Sequence, residues 1–177
     1  MRQTRILTAL SLVAVAASAQ SHRIAALSIV IPAFPNGGPI PAKYACTDRS
    51  DGSPSPAVQW SGAPQGTKSF ALIMHDIDTP MDFLHWAILN VPGSAAGLPE
   101  QVPAKASLDD GSVQLRNSAG SFGYYNPCPP GGAHRYRFDI FALDIVLSPA
   151  PKNRDALTRA MNGHVIARGQ YTATFGR

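Results

Sequence analysis

Charged residues are scarce in this chain: Asp, Glu, Lys and Arg make up 15% of its 177 residues, against 45% hydrophobic ones. That balance describes one globular domain with enough apolar material for a core. The Lys and Arg are dispersed, with no basic helix and no aromatic ladder along a basic groove, which argues against nucleic acid as a partner. Cysteine is scarcer still. Cys46 and Cys128 stand alone with no CxxC spacing, and no HxxxH or HExxH pairing of histidines occurs, so the sequence implies neither a metal nor another cofactor. A Gly-x-Ser-x-Gly elbow is also missing, and no serine has an evident base, which leaves hydrolysis the weakest of the functional classes. There is no internal repeat, low-complexity tract or linker.

Long apolar runs are missing too, except at the start. Arg2 and Arg5 precede an apolar stretch from Ile6 to Ala17, followed by the small residues Ala17-Ser18-Ala19. This is the pattern of a secretory leader cleaved after Ala19, giving a periplasmic or secreted domain over residues 20–177. The run is short for a bilayer core that needs ~20 apolar residues, so stable membrane insertion is not expected. Losing residues 1–19 removes two arginines and lowers the formal charge from +4 to +2. Export also places the two cysteines in an oxidising compartment, where a Cys46–Cys128 disulfide is the leading reading, worth ~3 to 5 kcal/mol on the chain-entropy model. Two separate thiols are the alternative.

What the chain has in quantity is turn chemistry: 16 Pro and 15 Gly spread between short apolar runs. Strands are expected at Ile24–Ile31, Ser69–His75, His85–Val91, Tyr136–Leu143 and Gln170–Phe175. The only helical signal is Asn153–Met161, with Asn153 as N-cap and Asn162-Gly163 as its stop. The fold class is therefore mainly β.

Three segments concentrate the polar chemistry. They are Asp76-Ile77-Asp78-Thr79-Pro80, His85-Trp86 and Gly132-Ala133-His134-Arg135, each beside apolar strand-like residues. Two carboxylates, two imidazoles and a guanidinium suit a small polar pocket for an anion. Alternation along an extended segment would put Asp76 and Asp78 on one side, one orienting a histidine or Arg135 and the other facing the ligand. Backbone amides between Gly120 and Gly132 offer further donors. Arg135 reads better as a structural group, and Trp60 and Trp86 as core or pocket wall. His22, His75 and His164 stay outside the site, the last with no partner in view.

These residues also carry a resemblance. Ser55-Pro56, Trp60, the Gly66–Leu72 segment, Asp76-x-Asp78-x-Pro80, His85-Trp86, Cys128-Pro129-Pro130, Gly132-x-His134-Arg135 and the closing Thr172–Arg177 follow one another in an order that resembles the phosphatidylethanolamine-binding protein family, in its bacterial Raf-kinase-inhibitor-like branch. The resemblance covers nearly all of residues 20–177. It implies an antiparallel β-sandwich with a few short peripheral helices and a cavity for phosphate-like or carboxylate-like anions. Asp76, Asp78, His85, His134 and Tyr136 are then the binding candidates, with Pro80, Trp86, Gly132 and Arg135 shaping the site. One departure is Ile77, where relatives often carry proline, which implies a less rigid loop. The function implied is binding of a small anion or phospholipid headgroup of the phosphoethanolamine kind. The alternative is an inhibitor or regulator of a protein target such as a kinase or protease.

Overall fold

The structure, a computed structural model, describes residues 24–46 and 53–176. The expected leader over residues 1–19 lies outside these. Nine strands follow in chain order: β1 (Ala25–Ala26), β2 (Ser28–Val30), β3 (Val58–Ser61), β4 (Ser69–Asp76), β5 (Phe83–Pro92), β6 (Gly97–Leu98), β7 (Val113–Gln114), β8 (Ala133–Leu143) and β9 (Val165–Gly176). Among the described residues there is one α-helix, α1 (Arg154–Met161), and one 3₁₀ turn, Ala42–Tyr44. The several peripheral helices implied by the resemblance thus reduce to these two.

Two sheets form, a six-stranded one in the order β1-β9-β8-β4-β5-β7 and a three-stranded one in the order β2-β3-β6. All pairings are antiparallel except β1 with β9. The predicted first strand is broken at Leu27, whose amide donates to Arg168 O, so its two halves serve different sheets. β3 and the short β6 and β7 carried no usable sequence signal, being only two to four residues long. Asn153 caps α1 as expected, its side chain accepting from the Ala156 amide at 2.9 Å.

Alternation along the central strands divides the core. Phe70, Leu72 and Met74 of β4 and Phe138, Ile140 and Ala142 of β8 share one buried cluster with Leu27 and with Val58, Trp60 and Leu98 from the small sheet. This is the sandwich interior. The intervening residues Ala71 and Ile73 pack on the other face with Leu157 and Met161 of α1. Both faces are covered, which explains why β4 is buried along its whole length and reads as a continuous apolar run.

That second face also carries a polar cluster that holds the turn after β4. His75, almost wholly buried, sits between two carboxylates: its Nε2 is 2.8 Å from Asp139 Oδ2 and its Nδ1 contacts Asp82. Arg154, the first residue of α1, donates to Asp82 Oδ2 at 2.5 Å and to Asp82 O at 2.9 Å. Asp139 also accepts from Arg137 Nε at 3.0 Å and Gln170 Nε2 at 2.8 Å. Burial pushes the Asp139 carboxyl up, but the His75 hydrogen bond, the Arg137 charge and the Gln170 amide outweigh it and hold it below the usual carboxylate value. A carboxyl lowered by folding contributes stability above its unfolded value, near ~3.9, and that stability is lost as pH falls through the folded value. Asp139→Ala is therefore expected to cost about 3 kcal/mol in urea unfolding at pH 7, because it strands His75 and Arg137, and to flatten the acid limb of the stability curve.

Candidate functional site

At one end of the sandwich interior the sheet turns from apolar to polar. β4 pairs Asp76 with Tyr136 of β8 on one side and with Phe83 of β5 on the other. His134 lies two residues before Tyr136 and so shares its face. His85 arrives by a different route. The β4–β5 register runs Met74 with Trp86 and then His75 with Leu84, leaving residue 85 as an extra residue in a bulge. The bulge lets His85 join the face of Phe83 while its neighbour Trp86 still points into the core.

These side chains line a cleft of about 220 Å³, together with Thr79, Tyr125, Cys128, Pro129 and Pro130. The volume suits a headgroup-sized ion and falls below the ~300 Å³ at which drug-sized pockets begin. Larger grooves lie at β2–β3–β6, about 470 Å³, and beside α1, about 700 Å³. The small cleft is the place where two imidazoles, a carboxylate and a phenol converge.

Asp76 has both oxygens engaged. Oδ2 accepts from His134 Nδ1 at 2.7 Å and Oδ1 from the Asp78 amide at 2.9 Å. His85 Nδ1 is 2.7 Å from Tyr125 O, an acceptor only, so Nδ1 carries the proton and Nε2 is the atom left for a ligand. In the other direction the Tyr125 amide donates to His85 O at 2.8 Å, tying the loop to the bulge. Burial pushes the His85 pKa down, more than the Tyr125 carbonyl and the Asp76 charge restore it. Phe83, Tyr125 and Tyr136 surround the His85 ring with centroids at 4.9, 5.9 and 5.1 Å. Burial, followed by the Asp76 charge, raises the Tyr136 phenol, which stays protonated. Its hydroxyl is fully buried and has no hydrogen-bond partner among the described residues. A buried hydroxyl is almost always satisfied.

Four of the five predicted binding residues, Asp76, His85, His134 and Tyr136, thus meet at the cleft. Asp78 does not. β4 ends at Asp76, so Asp78 sits in the following turn rather than along the same strand face, and it forms a two-pronged pair with Arg135 outside the cleft at 2.5 and 3.0 Å. Asp78 Oδ2 also accepts from the Arg135 amide at 2.7 Å. Arg135 is a brace for the turn, in keeping with its structural reading. Of the shaping residues, Trp86 is buried behind the site, donating to Gln114 Oε1 at 2.7 Å. Pro80 lies in the turn, and Gly132, at φ +71°, leads the chain out of the Pro-rich wall into β8. None of these three lines the cleft. Of residues 120–132, where an amide nest is expected, Tyr125, Cys128, Pro129 and Pro130 line the cleft; the Tyr125 amide is spent on His85 O and the prolines have no N–H. Ile77 has a use that proline would forfeit: its amide donates to Arg135 O at 3.0 Å, prolonging the β4–β8 ladder. His164, expected without a partner, pairs with Asp144 at 2.9 Å. Thr79, Phe83 and Tyr125 were missed, because nothing in single-sequence pattern distinguishes a rim aromatic from a core one.

The hydrogen bonds from Arg135 lower the Asp78 pKa to about 2. Arg135→Ala, which removes the guanidinium but keeps the residue 135 amide on Asp78 Oδ2, should raise it only part of the way toward the ordinary value near ~3.9, as read by carboxyl NMR titration.

Comparison with known proteins agrees with this geometry. The sequence profile described as phosphatidylethanolamine-binding protein matches residues 30–176. A "UPF0098 protein" of Methanothermobacter thermautotrophicus is 43% identical over 147 residues, covering 82% of this chain and 95% of its own length. The crystal structure of a Chlamydia trachomatis protein, described as a homolog of phosphatidylethanolamine-binding protein, superposes with a TM-score of 0.75 at 35% identity, over 86% of this chain and 98% of that one. YbcL of Escherichia coli, described as a new member of the mammalian family, gives a TM-score of 0.75 at 28% identity, over 86% and 99%. The sandwich, its polar end and these similarities together place the chain in the phosphatidylethanolamine-binding protein family.

Proposed function

We propose that the protein is an exported binding protein whose cleft takes a small oxyanion, phosphate itself or the phosphate of a phospholipid headgroup. The observation that carries this reading is the hydroxyl of Tyr136, a cleft-lining residue, buried without a hydrogen-bond partner among the described residues. Leaving such a group unsatisfied costs about 1 to 3 kcal/mol, a cost that an anionic oxygen accepting from it would remove. Asp76 does not oppose the anion as a bare carboxylate would, because both its oxygens are already hydrogen-bonded.

The histidines give the site a proton requirement. Neutral His85 offers an acceptor at Nε2, which repels a fully ionised oxyanion; protonated, it offers a donor and a positive charge. Since burial depresses its pKa, His85 binds its proton together with the ligand. A ligand P–OH donating to the neutral ring satisfies the same demand. For acetate, whose carboxyl titrates well below this range, affinity should fall by up to about tenfold per pH unit above pH ~6.5, because each complex must take up a proton that becomes scarcer.

Two substitutions separate binding from folding in calorimetric titrations with phosphate, phosphoethanolamine and acetate. Tyr136→Phe should raise unfolding stability of the ligand-free protein by about 1 to 3 kcal/mol while weakening phosphate by roughly tenfold, since it deletes a buried hydroxyl that a ligand would satisfy. His85→Ala should abolish the pH dependence. An unchanged phosphate affinity in both variants would refute the reading.

A further inference from the structure

The Pro-rich wall of the cleft runs beside the segment that carries the other cysteine. Tyr124 donates its hydroxyl to Tyr44 O at 2.6 Å, and three residues further along the Cys46 amide donates to Pro127 O at 2.8 Å. Because Pro127 O and the Cys128 Cα belong to one peptide unit, that second bond holds the Cα atoms of Cys46 and Cys128 within about 7 Å of each other. Disulfides span Cα separations of roughly 4.4 to 6.8 Å, so the backbone spacing allowed by this bond reaches the range that a disulfide bridges. Both cysteines also lie near Tyr136. Cys128 is exposed and lines the cleft, while Cys46 is half-buried, so an oxidant has access.

We propose that Cys46 and Cys128 form a disulfide that clamps the Cys128–Pro130 wall onto the Tyr44–Cys46 segment, making the shape of the cleft dependent on the redox state. In closing it, each cysteine gives up its thiol hydrogen and the two sulfurs join in one S–S bond. The two electrons and two protons pass to the disulfide of a donor, glutathione disulfide or a dithiol oxidase, which leaves as two thiols. The clamp acts where it matters for a ligand. Tyr125, within the tethered stretch, supplies the carbonyl that fixes the His85 tautomer, and Pro129 packs in the wall beside Tyr136.

The test compares the purified protein after incubation with glutathione disulfide and after dithiothreitol, alongside Cys46→Ser and Cys128→Ser. In the oxidised protein neither cysteine should accept an alkylating label. Its Tm should exceed that of the reduced form by on the order of 10 °C, as expected for a bond closing so long a loop, and each serine variant should match the reduced form. Inorganic phosphate should bind several-fold more tightly to the oxidised form. Alkylation of both cysteines in the native protein after the glutathione disulfide step, or a Tm indifferent to reductant, would overturn the bond. A closed bond with equal phosphate affinity in both states would overturn its hold on the cleft. Phosphate binding absent from both states would count against the anion-binding reading, while alkylation and Tm still decide the disulfide.

Discussion

The bulge at His85 is the constraint on which the site depends. Without it, strict alternation would turn either His85 or Trp86 away from the sandwich interior, since a slip of one residue exchanges the faces of a strand. With it, β5 delivers Phe83 and His85 to the cleft and still gives Trp86 and Ile88 to the core. The flanking register does the rest by aligning Phe83, Asp76 and Tyr136 across three hydrogen-bonded strands. The polar end is an interruption in an otherwise apolar interior, positioned by a backbone irregularity in the paired strands and closed by loop residues such as Tyr125 and Pro129.

Around that interruption, charge is assigned in an orderly way. Asp82 and Asp139 face His75, Arg154 and Arg137 on the back of the sheet, and Asp78 faces Arg135 at its end. These pairs hold the turn between β4 and β5 from outside the cleft. Inside it, Asp76 is occupied by His134 and by a backbone amide. The groups there without a hydrogen-bond partner among the described residues are a fully buried phenol hydroxyl and the outer nitrogens of two imidazoles. On the proposed reading, that set would suit an oxygen-rich ligand which brings or recruits a proton.

Much of this was legible in the sequence. The long strands, the capped helix and four of the residues that line the cleft could be read, because apolar runs, an Asn cap and short polar motifs are local signals. The split at Leu27 and the two- to four-residue strands could not, since their pairing is decided by distant partners such as Arg168 and Trp60. Asp78 was misplaced because alternation was extended past Asp76, where the strand gives way to a turn. No periodicity reveals a bulge, so the reason His85 and Trp86 share a face became visible only in the β4–β5 register. The partners of His75 were hidden for a similar reason, as its two carboxylates lie 7 and 64 residues away.

The central claim is that His85 stands ready, with its outer nitrogen unprotonated, to accept a proton along with an oxyanion. Nitrogen-15 NMR of the imidazole ring at pH 7, recorded before and after saturation with phosphate, tests it most directly. The account predicts the Nδ1–H tautomer in the free protein and a new hydrogen-bonded proton at Nε2 in the complex. A His85 ring already protonated at Nε2 in the free protein, or one whose nitrogen shifts do not move when phosphate saturates, would contradict it.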